Sequence, residues 1–526
     1  MRSKIDYPYE SFYELIEKQS EKRGGKVALF DGDTKITYSD IHRQTDAIAA
    51  FLFKAGIQKG DKIALFLRNS PEFVTMIFAA SKLGAVIVPI NTFLKDEELS
   101  YILEDSGSKV LIASMIHEEV VKRSKAEKLC GIILWEGEGF DQTDESNYSF
   151  EEAAGYVERI KTDAGGLEDT AVIIYTSGTT GKPKGAMLSH KNIFSNAIGG
   201  IDHLGLRSKD RGIVFLPMFH SFTFSIGLIL MMHLGASIVI IKSIQPFANI
   251  FKQTLLKRVT LFLGVPDVYN ALSKAKLPWY FMWFNRIRIF VSGAAALQPK
   301  TLEAMSAKFK RATLLEGYGL SETSPAVCIN SLQKQKAGSV GTSLGGYYEI
   351  KVVDENLVEK PLGAIGDIIV RGDNVMQGYL GRPTATEETI VNGWLLTGDM
   401  GYMDDEGFLF IVDRKKDLII SKGINIYPRE IEEVIDAFEG VKASAVIGVE
   451  DEKSGEIPIG YIELNDGVEQ VDTSKLKAYL REHLANFKIP KHIHTIEELP
   501  KNATGKVLKR VLKERLKEEK TGSDVG

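Results

Sequence analysis

The sequence from residue 171 to residue 185 reads AVIIYTSGTTGKPKG. Its first residues are apolar and predict a buried strand, after which small residues, hydroxyl side chains and two lysines crowd a loop. Small residues let backbone N–H groups approach phosphate oxygens, while hydroxyl and ammonium groups supply further donors and compensating charge. A plain surface turn explains the glycines but not the hydroxyls and lysines. The stretch therefore predicts a phosphate-binding loop.

This loop differs from the Walker loop of P-loop kinases and ATPases. The Walker pattern G-x-x-x-x-G-K-[ST] requires glycine where this chain has Thr176, and Ser or Thr where it has Pro183. The sequence therefore disfavours P-loop enzymes and favours another class of phosphate-binding protein.

Outside the loop, a helix followed by a buried strand occurs twice with the same turn. Apolar residues at 73–80 lead through Leu-Gly-Ala into the β-rich run 86–90, and residues 231–241 repeat this order and this turn. Strand-like runs at 62–67 and 260–263 alternate with helical stretches, which is typical of sheets with helices on both faces. We therefore predict an α/β fold built from two similar units.

The remainder of the chain has a different pattern. Short strands with frequent glycines predict a small β-barrel-like piece at about 338–413, and the densely charged segment 413–417 marks a boundary. Strands and helices then alternate in a small α+β region. We predict an N-terminal domain, 1–415, whose first part, about 1–337, holds two α/β subdomains, and a C-terminal domain, 416–526.

Composition limits the class of protein. With 526 residues the chain exceeds the roughly 250–300 residues of a single core, so more than one domain is expected. Lys and Arg total 65 against 70 Asp and Glu, and the net charge of -5 provides no field that would gather nucleic acid. Two cysteines in apolar settings and an N-terminus without a secretory pattern favour a cytoplasmic protein.

Further motifs follow the phosphate loop in a fixed order. They read YGLSET at 318–323, TGD at 397–399, DRKKD at 413–417 and TGK at 504–506. With the loop, this set resembles the adenylate-forming superfamily of acyl-CoA synthetases, aryl-CoA ligases, beetle luciferases and peptide-synthetase adenylation domains. The chain looks most like bacterial long-chain fatty acid–CoA ligases. The resemblance implies an acetyl-CoA synthetase-like fold with a mobile C-terminal domain.

The resemblance also implies a nucleotide site. A tyrosine would lie against adenine, an aspartate would accept hydrogen bonds from the ribose hydroxyls, and the loop would hold phosphates. The residues implied to bind ATP or AMP are Thr176, Ser177, Gly178, Thr179, Thr180, Gly181, Lys184, Gly293, Ala294, Ala295, Gly317, Tyr318, Gly319, Ser321, Thr323, Asp399 and Arg414.

Four residues are implied to act in catalysis. Lys506, expected in an exposed loop, would stabilise charge on the substrate carboxylate and the α-phosphate as they react. Glu322 would hold Mg²⁺ against the phosphates of ATP, a hard carboxylate for a hard cation. Thr176 would contact the phosphates, and His220 would gate the carboxylate site. No protein nucleophile is needed, because the substrate carboxylate itself attacks phosphorus.

The second half-reaction would use coenzyme A. The resemblance places the hinge of the mobile domain at Lys416 and the entry of the pantetheine arm at Lys422 and Gly423. Some relatives carry a lysine three residues before this glycine, where the present chain has Ile420, so that lysine role is not carried over.

The acid is expected to be apolar. His220 stands where amino-acid-activating relatives place their specificity segment, and it offers no carboxylate to a substrate ammonium group. His220, Phe222, Gly264 and Val265 are implied to line the acyl pocket. We predict a fatty acid–CoA ligase that uses ATP, Mg²⁺ and coenzyme A. An aryl-CoA ligase of the coumarate or benzoate type, or an acyl-AMP ligase that loads an acyl carrier protein, remains the alternative.

One aromatic segment lies outside these motifs. Residues 278–284 read PWYFMWF and are followed by Arg286 and Arg288. We interpret the segment as a buried helix; the alternative is a peripheral contact with the inner face of the membrane, from which a fatty acid would enter. A homodimer is also left open.

Overall fold

A computed structural model describes residues 5–140, 146–158, 160–176, 182–422, 424–451, 454–502 and 505–523. The chain divides into two compact units. The first comprises residues 1–336, 341–349 and 370–395, and the second comprises 337–340, 350–369 and 396–526. The expected domain boundary between residues 415 and 416 stays a prediction.

The helices are α1 Phe12–Arg23, α2 Tyr38–Lys54, α3 Pro71–Lys82, α4 Asp96–Ser106, α5 Glu118–Arg123, α6 Ala126–Leu129, α7 Phe150–Ala154, α8 His190–Leu204, α9 Leu230–His233, α10 Ala248–Leu256, α11 Pro266–Lys274, α12 Trp279–Phe284, α13 Pro299–Lys308, α14 Pro383–Thr389, α15 Pro428–Asp436, α16 Thr473–His483 and α17 Lys509–Ser523. A π-helix spans Thr223–Ile229, and 3-10 helices span Met115–His117, Ser321–Thr323, Leu344–Gly346, Lys415–Asp417 and Asn486–Lys488.

The strands are β1 Val27–Asp31, β2 Thr34–Thr37, β3 Lys62–Phe66, β4 Val86–Pro89, β5 Ser108–Ser114, β6 Ile132–Glu136, β7 Asn147–Ser149, β8 Thr170–Thr176, β9 Lys184–Ser189, β10 Arg211–Val214, β11 Ser237–Ile240, β12 Leu261–Gly264, β13 Ile289–Ser292, β14 Thr313–Gly319, β15 Ala326–Ile329, β16 Thr342–Ser343, β17 Glu349–Val353, β18 Gly366–Arg371, β19 Gly378–Tyr379, β20 Ile390–Val391, β21 Trp394–Met403, β22 Leu409–Arg414, β23 Ile419–Ser421, β24 Ile424–Ile426, β25 Val441–Asp451, β26 Gly455–Leu464 and β27 His492–Ile496.

Two large sheets form the first unit. One has nine strands in the order β16-β15-β14-β13-β12-β10-β11-β1-β2, and the other has eight in the order β19-β9-β8-β4-β3-β5-β6-β7. Most central pairs are parallel, and their strands are mostly apolar, as expected where helices cover both faces of a sheet. The predicted α/β fold class is confirmed.

The repeated Leu-Gly-Ala turn ends the helix that precedes β4 in one sheet and the helix that precedes β11 in the other. Gly84 and Gly235 have φ of 62° and 68°, in the left-handed region that a residue with a Cβ rarely adopts. In each turn the following alanine donates its N–H to a carbonyl one turn back, from Ala85 to Ala80 and from Ala236 to Met231, both at 2.9 Å. The repeat is therefore a helix stop that directs the chain into the next strand.

The second unit contains a sheet in the order β24-β23-β26-β25, with β27 parallel to β26. Helices α15 and α16 cover it with a small apolar core that includes Ile431, Ile435, Leu476 and Leu480. In the same unit β21 pairs antiparallel with β22, with Asp399 opposite Arg414. These two residues therefore occupy neighbouring strands of one ladder.

The interpretation of the aromatic segment as a buried helix is wrong. Residues 279–284 are helical, but in Trp279, Trp283 and Phe284 the exposed fractions are 72%, 73% and 65%. Phe281 alone is fully buried, because only one side of this short helix faces the core. In the described part of the chain, no helix has the length and apolar character to cross a membrane.

Candidate active site

The phosphate loop connects two antiparallel strands of the first unit. Thr176 ends β8 opposite Lys184, which begins β9. Gly185 is needed in this hairpin, because a Cβ at that position would lie 2.6 Å from the Ile173 side chain and 3.2 Å from the Tyr175 ring. The predicted ligands Ser177, Gly178, Thr179, Thr180 and Gly181 lie outside the described residues.

A short chain of contacts joins the loop to the predicted metal ligand. Lys184 Nζ lies 5.3 Å from the centroid of the Tyr379 ring, and the Tyr379 hydroxyl donates to Glu322 Oε1 at 2.9 Å. The Met376 N–H donates to the Glu322 carbonyl oxygen at 2.9 Å, so the backbone of the glutamate is also fixed. The first unit therefore brings two predicted phosphate-site residues to either side of one tyrosine.

The segment that carries Glu322 is a tightly closed turn. The Leu320 N–H donates to the Pro325 carbonyl at 3.0 Å, and a Cβ on Gly319 would overlap with that carbonyl oxygen. The Thr323 hydroxyl, which is fully buried, donates to the same carbonyl at 2.5 Å. Thr323 therefore stabilises the turn itself, and its contact with phosphate stays a prediction.

Three glycines lie at the carboxyl ends of adjacent parallel strands. Gly264 ends β12 and pairs with Ser292 at the end of β13, while Gly293 follows immediately and Gly317 lies near the end of β14. Ligands of open α/β sheets bind outside these strand ends. The next residue, Ala294, has φ of 71°, a strained conformation for alanine that the surrounding structure must stabilise.

His220 precedes the π-helix of the same unit. Burial lowers the pKa of His220 from 6.5 to about 4, so the imidazole is neutral at pH 7. Its Nδ1 accepts from the Phe222 N–H at 3.3 Å, which places the remaining proton on Nε2 as a donor. The neighbouring Ser221 hydroxyl lies 3.1 Å from that of Ser321, so this segment and the Glu322 turn are joined.

In the second unit, Asp399 and Arg414 form an ion pair. Arg414 Nε lies 3.2 Å from Asp399 Oδ1, and the aspartate is 4% exposed. The Asp399 N–H donates to the Thr397 hydroxyl at 3.1 Å, and that hydroxyl donates to the Ile368 carbonyl at 2.8 Å. The predicted ribose ligand is therefore held by both its backbone and its side chain.

Lys506 lies in a closed turn of the same unit. Its backbone N–H donates to Asn502 Oδ1 at 2.9 Å, and the Asn502 N–H donates back to its carbonyl at 2.9 Å. The expected exposed loop is a partly buried one, and burial lowers the pKa of Lys506 from 10.5 to about 7. The charges of Arg414 and Lys416 lower it further, whereas Asp399 raises it.

The predicted hinge and tunnel residues follow the ion pair. Lys416 lies in the 3-10 helix Lys415–Asp417, and burial lowers its pKa as well. Lys422 has φ of 51° and donates its N–H to the Ser454 carbonyl at 2.7 Å. Gly423 lies outside the described residues, and the Ile420 side chain is half exposed.

The site in the first unit fits a magnesium ion. Glu322 is partly exposed and offers carboxylate oxygens, the ligand type that Mg²⁺ prefers. The hydroxyl from Tyr379 orients one of these oxygens. Mg²⁺ bound with ATP would supply positive charge to the phosphate oxygens, and Glu322 would hold it.

Two positioning residues were not predicted from the sequence. Tyr379 contacts Glu322 across 57 positions of the chain, and the Asn196 side chain donates to the Thr323 and Ala326 carbonyls at 3.2 and 3.0 Å. Neither belongs to a short motif, and both contacts are between residues distant in sequence. Only the three-dimensional structure identifies them.

Known proteins match almost the whole chain. Residues 16–380 match the profile of the AMP-binding enzyme family, and residues 430–506 match that of the AMP-binding enzyme C-terminal domain. Feruloyl-CoA synthase of an Amycolatopsis species is 33% identical over 492 residues, covering 93% of this chain and 96% of that protein. The long-chain-fatty-acid–CoA ligase FadD13 of Mycobacterium tuberculosis is 34% identical over 494 residues, covering 92% and 93%. The 2-succinylbenzoate–CoA ligase of Bacillus cereus is 33% identical over 502 residues, covering 94% and 96%.

Solved structures show the same similarity over almost the whole chain. ATP-bound MatB from Rhodopseudomonas palustris has a TM-score of 0.87 and 32% identity, covering 96% of this chain and 98% of that one. The o-succinylbenzoate CoA synthetase MenE of Bacillus subtilis, in complex with ATP and magnesium ion, has a TM-score of 0.84 and 30% identity, covering 95% and 99%. On these matches and the ordered motifs, the chain is a member of the adenylate-forming AMP-binding enzyme family.

Proposed function

We propose that this protein is an ATP-dependent acid–CoA ligase whose acid is a fatty acid. In the first half-reaction the substrate carboxylate attacks the α-phosphorus of ATP, and acyl-AMP and pyrophosphate form. In the second, the thiol of coenzyme A attacks the acyl carbonyl carbon, its proton is released to water, and AMP leaves as the thioester forms. Neither step needs a nucleophile from the protein.

The observation that carries this proposal is the setting of Lys506. Arg414, Lys416 and Asp399 contribute to the electrostatics of its ammonium group, and the Asn502–Lys506 turn fixes its backbone. A lysine with a pKa of about 7 gains a proton readily when anionic phosphates approach, because their charge favours the ammonium form. Such a group stabilises charge that builds on the α-phosphate in the transition state.

The other residues bind and orient the nucleotide. The paired carboxylate of Asp399 would accept hydrogen bonds from the ribose hydroxyls, with Arg414 setting its orientation at 3.2 Å. Glu322 would hold Mg²⁺ with the phosphates, and Tyr379 would keep the glutamate in place. The hydroxyl of Thr176 and the ammonium of Lys184 would bind phosphate oxygens at the two ends of the loop.

The acid site supports an uncharged substrate tail. His220 is neutral at pH 7 and has Nε2–H as its donor, which suits a carboxylate oxygen. Phe219, next to His220 in the chain, and Val265, which follows β12, are buried apolar residues, and Phe222 would make ordinary contact with a Cβ at Gly293. Burial of a fatty acyl chain contributes about 0.8 kcal/mol for each methylene group.

An aromatic acid is the second candidate. The feruloyl, succinylbenzoate and long-chain fatty acid enzymes named above are almost equally similar to this chain, at 33%, 33% and 34% identity. Transfer to an acyl carrier protein in place of coenzyme A is the third outcome that an experiment must distinguish.

Product analysis tests the proposal. The enzyme is incubated with ATP, Mg²⁺ and one acid at a time, from a panel of fatty and aryl acids, with and without coenzyme A. We expect AMP, pyrophosphate and fatty acyl-CoA, with kcat/KM highest for a fatty acid. An aryl acid with the highest kcat/KM would replace the fatty acid in this assignment.

Variants separate chemistry from folding. Lys506→Ala should lower adenylation by about 10²–10³-fold, the usual effect of removing one charge-stabilising group. Lys475→Ala, at an exposed lysine of α16 in the same unit, is the matched control and should leave it unchanged. Acyl-AMP that accumulates and ignores coenzyme A would indicate a ligase that loads a carrier protein.

A further inference from the structure

The helix α12 exposes four aromatic side chains in one short stretch. In Trp279, Tyr280, Trp283 and Phe284 the exposed fractions are 72%, 48%, 73% and 65%. Its six residues contain no charged side chain. Isolated exposed apolar residues are ordinary, but a contiguous cluster of large aromatic groups marks an interaction surface. We call these four side chains the aromatic patch.

Helix α12, which carries the aromatic patch, is fixed to the rest of the first unit on its inner side. Phe281, on the inner side of α12, is 1% exposed and packs edge-to-face on Phe251 of α10 with ring centroids 5.2 Å apart. Arg311 Nη2 donates to the carbonyls of Met282 and Trp283 at 2.5 and 2.9 Å. The Asn285 side chain donates to the Phe281 carbonyl at 2.8 Å. The exposed rings are therefore presented outward by a helix that is anchored at its middle and its end.

Basic residues flank the aromatic patch. From Val268 to Leu302 the sequence has five Lys or Arg and no Asp or Glu, although the whole chain carries a net charge of -5. Lys274, Lys276 and Arg286 flank α12 and are exposed. Exposed Lys310 and Arg311 line the same surface depression as Trp283. Basic groups beside exposed aromatic rings match the chemistry of an anionic lipid surface.

We propose that the aromatic patch and its basic rim dock the enzyme onto the surface of a bilayer that contains anionic lipids. Trp and Tyr rings are favoured at the depth of the lipid headgroups, because one end of each ring is apolar and the other is polar. The lysine and arginine side chains would bind the anionic headgroups. The contact is peripheral, and it does not depend on which acid the enzyme activates.

Vesicle binding tests this proposal with the full chain. Sedimentation is measured with vesicles of phosphatidylcholine and with vesicles of three parts phosphatidylcholine to one part phosphatidylglycerol. We expect stronger binding to the anionic vesicles, which high salt weakens by screening. Trp279→Ser/Trp283→Ser should lower binding at least tenfold, and Arg286→Glu/Lys310→Glu should remove the preference for anionic lipid.

Control variants distinguish a loss of membrane docking from a loss of folding. Val157→Ser, at a hydrophobic residue that is 97% exposed elsewhere in the first unit, should bind as the unmodified protein does. Lys128→Glu, at an exposed lysine of α6, is the matched charge control. Trp279→Phe/Trp283→Phe should retain most of the binding, because aromatic rings remain. Adenylation of a soluble acid and the melting temperature should be unchanged in the Ser variant.

Tryptophan fluorescence gives a second measurement. The chain has four tryptophans, of which Trp135 is buried in the core. Brominated lipids should quench the emission of Trp279 and Trp283, which the double Phe variant removes. Vesicle binding that the patch variants do not alter, or no binding at all, would overturn the proposal. So would a dimer in lipid-free solution that requires Trp279 and Trp283, because the patch would then belong to a second copy.

Discussion

Asp399 and Arg414 face each other across the antiparallel ladder of β21 and β22, with Nε of the arginine 3.2 Å from a carboxylate oxygen of the buried aspartate. The pairing register alone places the two residues opposite each other, so the backbone sets this contact before the side chains do. The preceding residue of β22, Asp413, accepts the Arg414 N–H at 2.7 Å and the Arg429 N–H at 2.8 Å. One strand therefore presents the arginine and anchors the helix α15.

The ion pair leads to the first prediction. Asp399→Asn keeps the shape of the side chain but leaves Arg414 without its partner charge. We expect a loss of about 1–3 kcal/mol in the free energy of unfolding, measured in urea, because the aspartate is buried. The KM for ATP should rise about tenfold or more. Lys415→Ala, which removes an exposed ion pair with Asp367, is the control and should cost under about 1 kcal/mol. An unchanged KM for ATP in Asp399→Asn would remove this residue from the ribose site.

The lowered pKa of Lys506 predicts the pH dependence of adenylation. Below pH 7 the free enzyme carries the ammonium form, and above pH 7 the neutral amine increasingly replaces it. If the ammonium acts on the phosphates, kcat/KM for pyrophosphate release should fall as pH rises through about 7. In kcat the fall should lie at higher pH, because bound ATP raises the pKa of Lys506.

Lys506→Arg provides the comparison for this profile, because a guanidinium stays charged throughout the range. Its kcat/KM should lose the inflection near pH 7, at a lower overall rate. The same inflection in the arginine variant would mean that another group titrates there.

Tyr379→Phe tests the positioning of Glu322. The variant removes the hydroxyl that donates to the glutamate at 2.9 Å, and the ring that faces Lys184 stays. The free energy of unfolding should change by about 0.5–1.5 kcal/mol. The Mg²⁺ concentration needed for half-maximal adenylation should rise several-fold. Tyr347→Phe removes a similar bond, to Asp202 at 2.9 Å, and should not alter the Mg²⁺ requirement. Equal Mg²⁺ requirements in both variants would show that the Tyr379 bond is only structural.

Gly319→Ala tests the closed turn that carries Glu322. A Cβ there would overlap with the Pro325 carbonyl oxygen, so the backbone must move. We expect a loss of about 1–3 kcal/mol in the free energy of unfolding. The adenylation rate should fall by more than the lost fraction of folded protein explains. Gly166→Ala, at a glycine whose Cβ would meet nothing within 4 Å, should change neither quantity. Full activity of Gly319→Ala at normal stability would contradict the tight closure of this turn.

Motifs in the sequence predict part of the candidate site. Asp399, Arg414 and Lys506 were predicted because each belongs to a short motif in a recognisable order. In the second unit Asp399 pairs with Arg414 at 3.2 Å and both affect the pKa of Lys506, while their roles in the site stay predictions. Helices and strands that follow apolar periodicity were also predicted, as in α3 and β4. Local pattern determines such elements directly.

Two features depended on tertiary structure. The Tyr379–Glu322 bond joins positions far apart in the sequence, and no local pattern encodes it. The exposure of Trp279 and Trp283 was predicted wrongly, because an apolar sequence favours burial and only packing decides which side of a short helix faces the core. The partial burial of Lys506, and hence its lowered pKa, likewise arises from the folded unit.

The most direct test of the central claim follows the oxygen atoms of the acid. A fatty acid with both carboxylate oxygens labelled with the heavy isotope is converted with ATP, Mg²⁺ and coenzyme A, and the AMP is examined by mass spectrometry. Attack of the carboxylate on the α-phosphorus predicts one labelled oxygen in AMP, and acyl-CoA that retains the other. Unlabelled AMP, or ADP and phosphate as products, would contradict an acyl-adenylate route.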